Sequence, residues 1–156
     1  MHESIDQYDQ AILRALKKDG ALTNAQLSEV VNLSPSQCSR RRLRLEKEGI
    51  IAGYHARLND EAMGLGLRAV IRVNLNSHSE KNAKEFSGLL NSHDEIIEAF
   101  SVSGDADYIL IVQCKDLATF SDFIHTVLLP QPIIGQVKSE IALKEIKQPH
   151  SLHLPK

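Results

Sequence analysis

The sequence has only two cysteines, Cys38 and Cys114, and they lie far apart in the chain. A disulfide framework or a zinc site would need more cysteines at closer spacing, so we expect both thiols to be reduced core residues. The seven histidines are scattered. The nearest approach to a ligand pair, His150 and His153, lies in a proline-flanked tail, where we expect solvent exposure and no metal.

The sequence also lacks a long apolar run. No stretch approaches the roughly 18 residues that a membrane span needs. The polar beginning MHESIDQYDQ has neither the basic nor the apolar region of a secretory signal, so we predict a cytoplasmic protein without a membrane partner. A glycine-rich phosphate loop and a nucleophile motif are absent too. The sequence therefore offers little for an enzyme, and we predict no cofactor.

An excess of positive charge is absent from the chain as a whole, whose formal net charge is −2. The charge is unevenly distributed, because residues 1 to 60 hold nine basic and eight acidic residues, whereas residues 61 to 156 hold nine and twelve. One short segment concentrates the basic residues: Arg40, Arg41, Arg42, Arg44 and Lys47. Such a concentration on one element is what attraction to nucleic-acid phosphates requires.

Three helix signals follow one another in the first part of the chain. The first helix is predicted from Asp6, as N-cap, to Lys18. Thr23-x-x-Gln26 and Ser34-x-x-Gln37 each have the form of a capping box, and Pro35 occupies a first helical position. Only Asn32 and Leu33 separate the second helix from the third, which predicts a steep crossing and hence a helix-turn-helix ending at Gly49.

The rest of the chain alternates strands with helices. A strand is predicted over 50–58, and a domain boundary near residue 60, which gives domains of residues 1–60 and 61–156. The pattern after the boundary predicts strands and helices in the order strand 67–75, helix 79–91, strand 96–103, strand 108–114, helix from 116, strand 137–146. This order is the ferredoxin-like βαββαβ arrangement of an α+β fold. Val137, Ile141 and Leu143 are expected on one face of the last strand.

The third helix carries the chemistry of a DNA reader. With Cys38 and Leu45 placed toward the core, a rotation of about 100° per residue predicts an outward side carrying Ser36, Gln37, Arg40 and Arg44. Arginine can bridge guanine, glutamine can bridge adenine, and small serines allow close approach. The alternative is a merely solvated basic face, which the preceding capped helices make the weaker interpretation.

Two further residues, Ser34 and Arg41, complete the predicted DNA-binding set. Asp9 lies close to the apolar side of the first helix, where an unpaired carboxylate is costly. We therefore also expect a structural salt bridge between Asp9 and Arg41, and we favour this role over a DNA contact for Arg41.

Five groups of residues together resemble the leucine-responsive regulator and asparagine-synthetase regulator (Lrp/AsnC) family over essentially the whole chain. They are Ile5-Asp6-x-x-Asp9-x-x-Ile12-Leu13, Leu33-Ser34-Pro35-Ser36-x-Cys38, Arg41-x-x-x-Leu45-Glu46-x-x-Gly49-Ile50-Ile51, Gly104-Asp105-x-Asp107-Tyr108 and Ala142-Leu143-Lys144-x-Ile146-Lys147. One departure is visible, because Arg42 stands where the family pattern usually has an apolar residue, with Leu43 beside it.

The resemblance implies a winged-type helix-turn-helix joined to a sensing and assembly domain. It implies a regulator of transcription that binds double-stranded DNA, forms homodimers by pairing the C-terminal sheets, and often assembles four dimers into an octamer. It also implies an effector, commonly an amino acid, bound at contacts between dimers near the glycine–aspartate turn. The corresponding effector-binding residues of this sequence are Ser103, Gly104, Asp105 and Asp107.

The turn has two interpretations. The aspartates could accept the ammonium of an amino acid, and the backbone around Gly104 could donate to its carboxylate. Alternatively, Gly104 is a hairpin glycine and the aspartates accept local backbone hydrogen bonds. In the second case the protein is an architectural DNA-binding protein without a ligand. An enzyme on a ferredoxin-like domain is the third possibility, and it lacks a base or metal partner for the two aspartates.

Overall fold

The computed structural model describes residues 4 to 146. The chain divides into two compact units, residues 4 to 57 and residues 58 to 145. The first unit contains three helices: α1, Gln7–Lys18; α2, Asn24–Val31; α3, Pro35–Lys47. All three begin at predicted N-caps, and each has a capping box in which the N-cap and the third helical residue accept each other's backbone N–H.

The turn between α2 and α3 is as short as predicted. Asn32 adopts the left-handed conformation with φ 54°, which asparagine tolerates better than most residues, and Ser34 already caps α3. Gly49, with φ 72°, follows the end of α3. The three helices enclose one apolar cluster whose fully buried members include Ile12, Leu27, Cys38, Leu45. Both cysteines are free and buried, which confirms the prediction.

The second unit is an antiparallel sheet with helices on one face. Its elements are β1, Leu67–Leu75; α4, Glu80–Asn91; β2, Ile96–Ser101; β3, Tyr108–Cys114; α5, Leu117–Phe123; β4, Ile134–Ile141. The sheet order is β2-β3-β1-β4, so the predicted ferredoxin-like topology is confirmed. Ser79 and Asp116 cap α4 and α5 as expected. A segment predicted as part of the same helix, Ile124–Leu128, continues α5 in the π-helical form, which was not predicted.

The two faces of the sheet differ in burial. Alternate residues of the central strands β1 and β3, among them Ile71 and Leu110, are fully buried against the helices. The opposite face carries half-buried apolar side chains at Val70, Ile109 and Ile111. Within this unit, the described helices α4 and α5 bury their aromatic residues against the first face and leave this one without a helix. The sheet therefore has one closed face and one open face.

Three predicted strand assignments need correction. Residues 50–58 form no strand in the described chain, since the segment pairs with no other strand there. The strand predicted over 96–103 ends at Ser101. The last strand begins at Ile134, earlier than expected, and ends at Ile141, so that Leu143 is 97% exposed instead of sharing a strand face. The beginning of this strand was not predicted because it contains Gly135, and glycine is uncommon in strands.

Among the helices of residues 4 to 146, none is long and apolar enough to cross a membrane.

Candidate functional site

The N-terminal turn of α3 is organised by its own side chains. The Ser34 hydroxyl accepts the backbone N–H of Gln37 at 3.2 Å, and the Gln37 side-chain oxygen accepts the backbone N–H of Ser34 at 3.0 Å. The Ser36 hydroxyl lies 3.1 Å from that of Ser34. Ser34 is therefore committed to capping, while Ser36 and the amide nitrogen of Gln37 stay on the exposed surface.

A buried carboxylate fixes α3 against α1. Asp9 is fully buried, and its carboxylate accepts hydrogen bonds from the guanidinium groups of Arg41, at 2.8 Å, and of Arg44. Arg41 also donates to Asp6 at 2.7 Å. The predicted bridge between Asp9 and Arg41 is confirmed, and Arg44 joins it unexpectedly. A fully buried charge without partners is very costly. These bonds therefore hold the Arg41 and Arg44 side chains at Asp9 and limit their freedom to contact other groups.

The network shifts the pKa values of Asp6 and Arg41. The backbone N–H of Asp9 and then the Arg41 guanidinium lower the pKa of Asp6 below its ordinary value. The hydrogen bond to Asp9 raises the pKa of Arg41. An open hollow of about 550 Å³ lies beside these groups, lined by Ser4, Asp6, Asp9, Arg40, Arg41 and Arg44. The arginines that border this hollow are therefore accompanied by carboxylates.

The exposed side of α3 is rotated relative to the predicted one. At about 100° per residue, an arc of roughly 60° opposite Cys38 and Leu45 contains Ser36, Arg40, Leu43 and Lys47. All four are exposed, whereas Arg44 is half-buried in the Asp9 network. Sequence analysis missed Leu43 and Lys47. The signal for them was the unusual Arg42–Leu43 pair, which places a charged residue toward the protein and an apolar one toward solvent.

The Arg42 side chain is held by hydrogen bonds to other residues of the helical unit. It donates to the backbone carbonyl of Leu22 and to the hydroxyl of Tyr54, both at 2.8 Å, and to Glu46 at 3.2 Å. Its guanidinium lies 4.6 Å from the centre of the Tyr54 ring, and the Tyr54 hydroxyl donates to Glu46 at 2.7 Å. The hydrogen bond from Tyr54 lowers the pKa of Glu46, and burial and Glu46 raise that of Tyr54. Through Tyr54, these contacts hold the segment after α3, which forms no strand, against that helix.

The β2–β3 turn combines exposed groups with one structural carboxylate. Gly104 has φ 141°, a conformation that side-chain-bearing residues rarely adopt. The carboxylate of Asp107 accepts the backbone N–H of Leu75 at 2.8 Å, a bond to another strand and not the local one expected of a turn former. The opposite oxygen of Asp107 lies 3.6 Å from Nδ1 of His78.

The remaining predicted effector residues face solvent. Ser103, Gly104 and Asp105 are exposed, and the backbone carbonyl of Asp105 accepts the side-chain amide of Asn74 at 2.8 Å. The structure thus brings the four predicted residues together at one end of the sheet, with Asn74 and His78 as neighbours that sequence analysis missed. Asn74 lies near the end of β1, and His78 follows that strand. Only the pairing of β1 with β3 shows that this end of the strand lies beside the turn.

Clusters of three or more potential metal ligands are absent from residues 4 to 146. His150 and His153, the pair considered from the sequence, lie outside the described residues.

Two families match this chain. Residues 68–152 match the Lrp/AsnC ligand binding domain, and residues 5–52 match a winged helix-turn-helix DNA-binding domain. The leucine-responsive regulatory protein of Haemophilus influenzae is 34% identical over 98% of this chain and 92% of its own length. That of Escherichia coli K12 is 33% identical over 96% of this chain and 92% of its own length.

Solved structures give the same result. A transcriptional regulator from Neisseria meningitidis, crystallised in complex with L-methionine, is 37% identical with a TM-score of 0.92, covering 96% of this chain and 97% of its own. An AsnC family transcriptional regulator from Agrobacterium tumefaciens is 31% identical with a TM-score of 0.88, covering 96% of each chain.

Proposed function

Because this chain belongs to the Lrp/AsnC family of DNA-binding transcriptional regulators, we propose that it reads DNA with α3 and responds to an amino acid. The division near residue 60 separates the two tasks, with residues 1–60 binding DNA and residues 61–156 sensing and assembling. The observation that carries the proposal is the outward side of α3, which presents polar and basic groups on a helix held in place by buried contacts.

The DNA contacts follow from which side chains the protein leaves available. Ser36, Gln37 and Arg40 are exposed near the beginning of α3, where a recognition helix approaches base edges. Ser34 acts as the cap that holds this turn. The structural bonds of Arg41 and Arg44 to Asp9 favour a positioning role for both, and their direct contact with DNA stays a prediction.

We propose that the open face of the sheet forms the homodimer interface. Val70, Ile109 and Ile111 lie on adjacent strands of that face, because Val70 pairs with Ile111 and Arg72 pairs with Ile109. Phe100 of β2, 49% exposed, pairs with Ile109 and extends the apolar surface. A second copy would bury this surface and place two copies of α3 on one operator, and further contacts between dimers would build an octamer.

We assign the effector site to the β2–β3 turn. Asp105 is exposed and able to accept an ammonium group, and the backbone around Gly104 is open to a carboxylate. Ser103 adds a hydroxyl, and Asp107 contributes the oxygen that faces His78. The Neisseria meningitidis relative was solved with L-methionine, which supports an amino-acid ligand here. The proposal includes action by binding, without catalysis or cofactor, in the cytoplasm.

A thermal-shift screen of the intact protein against the proteinogenic amino acids tests the sensor. A ligand that binds the native state raises its melting temperature in proportion to the logarithm of concentration. Fluorescence anisotropy with double-stranded DNA, with and without the hit, then tests the coupling. DNA binding with no amino-acid response would identify a ligand-independent architectural protein. Absence of DNA binding would contradict the proposal.

A further inference from the structure

One large apolar side chain interrupts the polar outward side of α3. Leu43 is 65% exposed and lies between Arg40 and Lys47 along the helix. Its neighbours on this side carry hydroxyl or charged groups, which suit phosphates and polar base edges. Leucine suits neither, and on a helix side that faces DNA the partner it suits is an apolar group of the bases.

Local packing prevents Leu43 from turning inward. Cys38 and Leu45 are fully buried on the opposite side of α3, and the bonds from Arg41 to Asp9 hold the helix against α1. The adjacent Arg42 occupies the inward position and is held by the Leu22 carbonyl and by Tyr54. The rotation of α3 is therefore fixed, and the leucine side chain stays on the surface that faces DNA in the proposed function.

The major groove of DNA presents one prominent apolar group, the 5-methyl group of thymine. Leu43 is three residues beyond Arg40, or about 4.5 Å along the helix axis. This spacing is close to one base step of about 3.4 Å. We propose that Leu43 is a specificity-determining residue that contacts a thymine methyl group one or two base pairs from the base read by Arg40. The inference rests on the proposed entry of α3 into the major groove.

The test begins with selection of a preferred site from random double-stranded DNA by the intact wild-type protein. Each thymine of that site is then replaced in turn by deoxyuridine, which lacks only the 5-methyl group. We expect one thymine per half-site at which wild-type affinity falls roughly fourfold, since about one methyl group of apolar contact is lost. The Leu43→Ala variant should bind thymine and deoxyuridine equally there, and Leu43→Met should retain part of the preference.

Leu117→Ala is the matched control, because Leu117 is 60% exposed but lies on α5 of the other unit. It should keep the full thymine preference. Thermal melting checks that each variant is folded. A wild-type protein indifferent to every methyl group, or a preference that survives in Leu43→Ala, would overturn the assignment while leaving DNA binding intact. Failure to select any site would instead refute the proposed function, and the assignment with it.

Discussion

The helical unit and the sheet unit complete their surfaces in different ways. In the helical unit, the charged groups behind the outward side of α3 are neutralised within the chain, as Asp9 binds Arg41 and Arg44. In the sheet unit, an entire sheet face with apolar residues such as Ile111 stays open. A sheet buries its apolar face against another layer, and one layer is already supplied by α4 and α5. The charges behind α3 thus find their partners within one unit, whereas the open sheet face has no second layer in its own unit, and we expect a second copy of the chain to supply that layer.

The largest expected effect concerns the buried carboxylate of the helical unit. Asp9→Ala leaves the guanidinium groups of Arg41 and Arg44 without their buried partner and should lower the free energy of unfolding by about 3–5 kcal/mol. Urea denaturation followed by circular dichroism measures it. Asp6→Ala is the control, because it removes an exposed carboxylate and a helix cap and should cost only about 1 kcal/mol. Equal losses would show that burial of Asp9 adds nothing.

The next largest effect concerns the open face of the sheet unit and its role in self-association. Ile111→Asp places a charge on the half-buried open face, where it is far more unfavourable once a second copy covers it, and should weaken self-association roughly a hundredfold. Light scattering across a concentration series measures the change. Leu117→Asp adds the same charge to an exposed residue outside that face and should leave the assembly unchanged. If Ile111→Asp assembles like the wild type, the open face is not the interface.

A smaller effect separates the two aspartates of the β2–β3 turn. Asp107→Ala leaves the backbone N–H of Leu75 without its acceptor and should cost about 1–3 kcal/mol of stability. Asp105→Ala should change stability by no more than about 0.5 kcal/mol. It should nevertheless weaken amino-acid binding more than tenfold, if it removes a charge-assisted bond of roughly 1.5–3 kcal/mol. Thermal melting and ligand titration of both variants decide the matter, and full ligand affinity in Asp105→Ala would contradict the effector assignment.

The smallest effect concerns pH and the segment after α3. Burial and the bond to Glu46 raise the pKa of Tyr54, so its contribution to stability is fully present below pH about 10 and is lost as pH rises through the raised value. Tyr54→Phe should therefore flatten the alkaline loss of stability, measured by thermal melts above pH about 9. Tyr8→Phe removes a hydroxyl elsewhere in the same unit. An identical flattening in that control would exclude Tyr54 as the cause.

Local sequence determined where the helices begin. The capping boxes at Thr23 and Ser34 join residues only three positions apart, so the sequence alone identifies both partners of each bond. The strict alternation of β1 likewise identified a half-buried strand, and the order of elements identified the topology. One tertiary contact, the bridge from Asp9 to Arg41, was also predictable, because a carboxylate on an apolar helix side needs a cation.

Tertiary structure decided what depends on a distant partner. The segment 50–58, which begins with Ile50 and Ile51, suggested a strand, but a strand requires a neighbour to satisfy its backbone, and this segment is held by Tyr54 instead. The beginning of β4 was set by pairing with β1 across Gly135. The half-burial of Arg44 depends on Asp9, a residue of another helix that binds its guanidinium, whereas Leu43 stays exposed. Composition and spacing specify bonds between near neighbours, whereas competition among several arginines for one buried carboxylate is resolved only when the chain has folded.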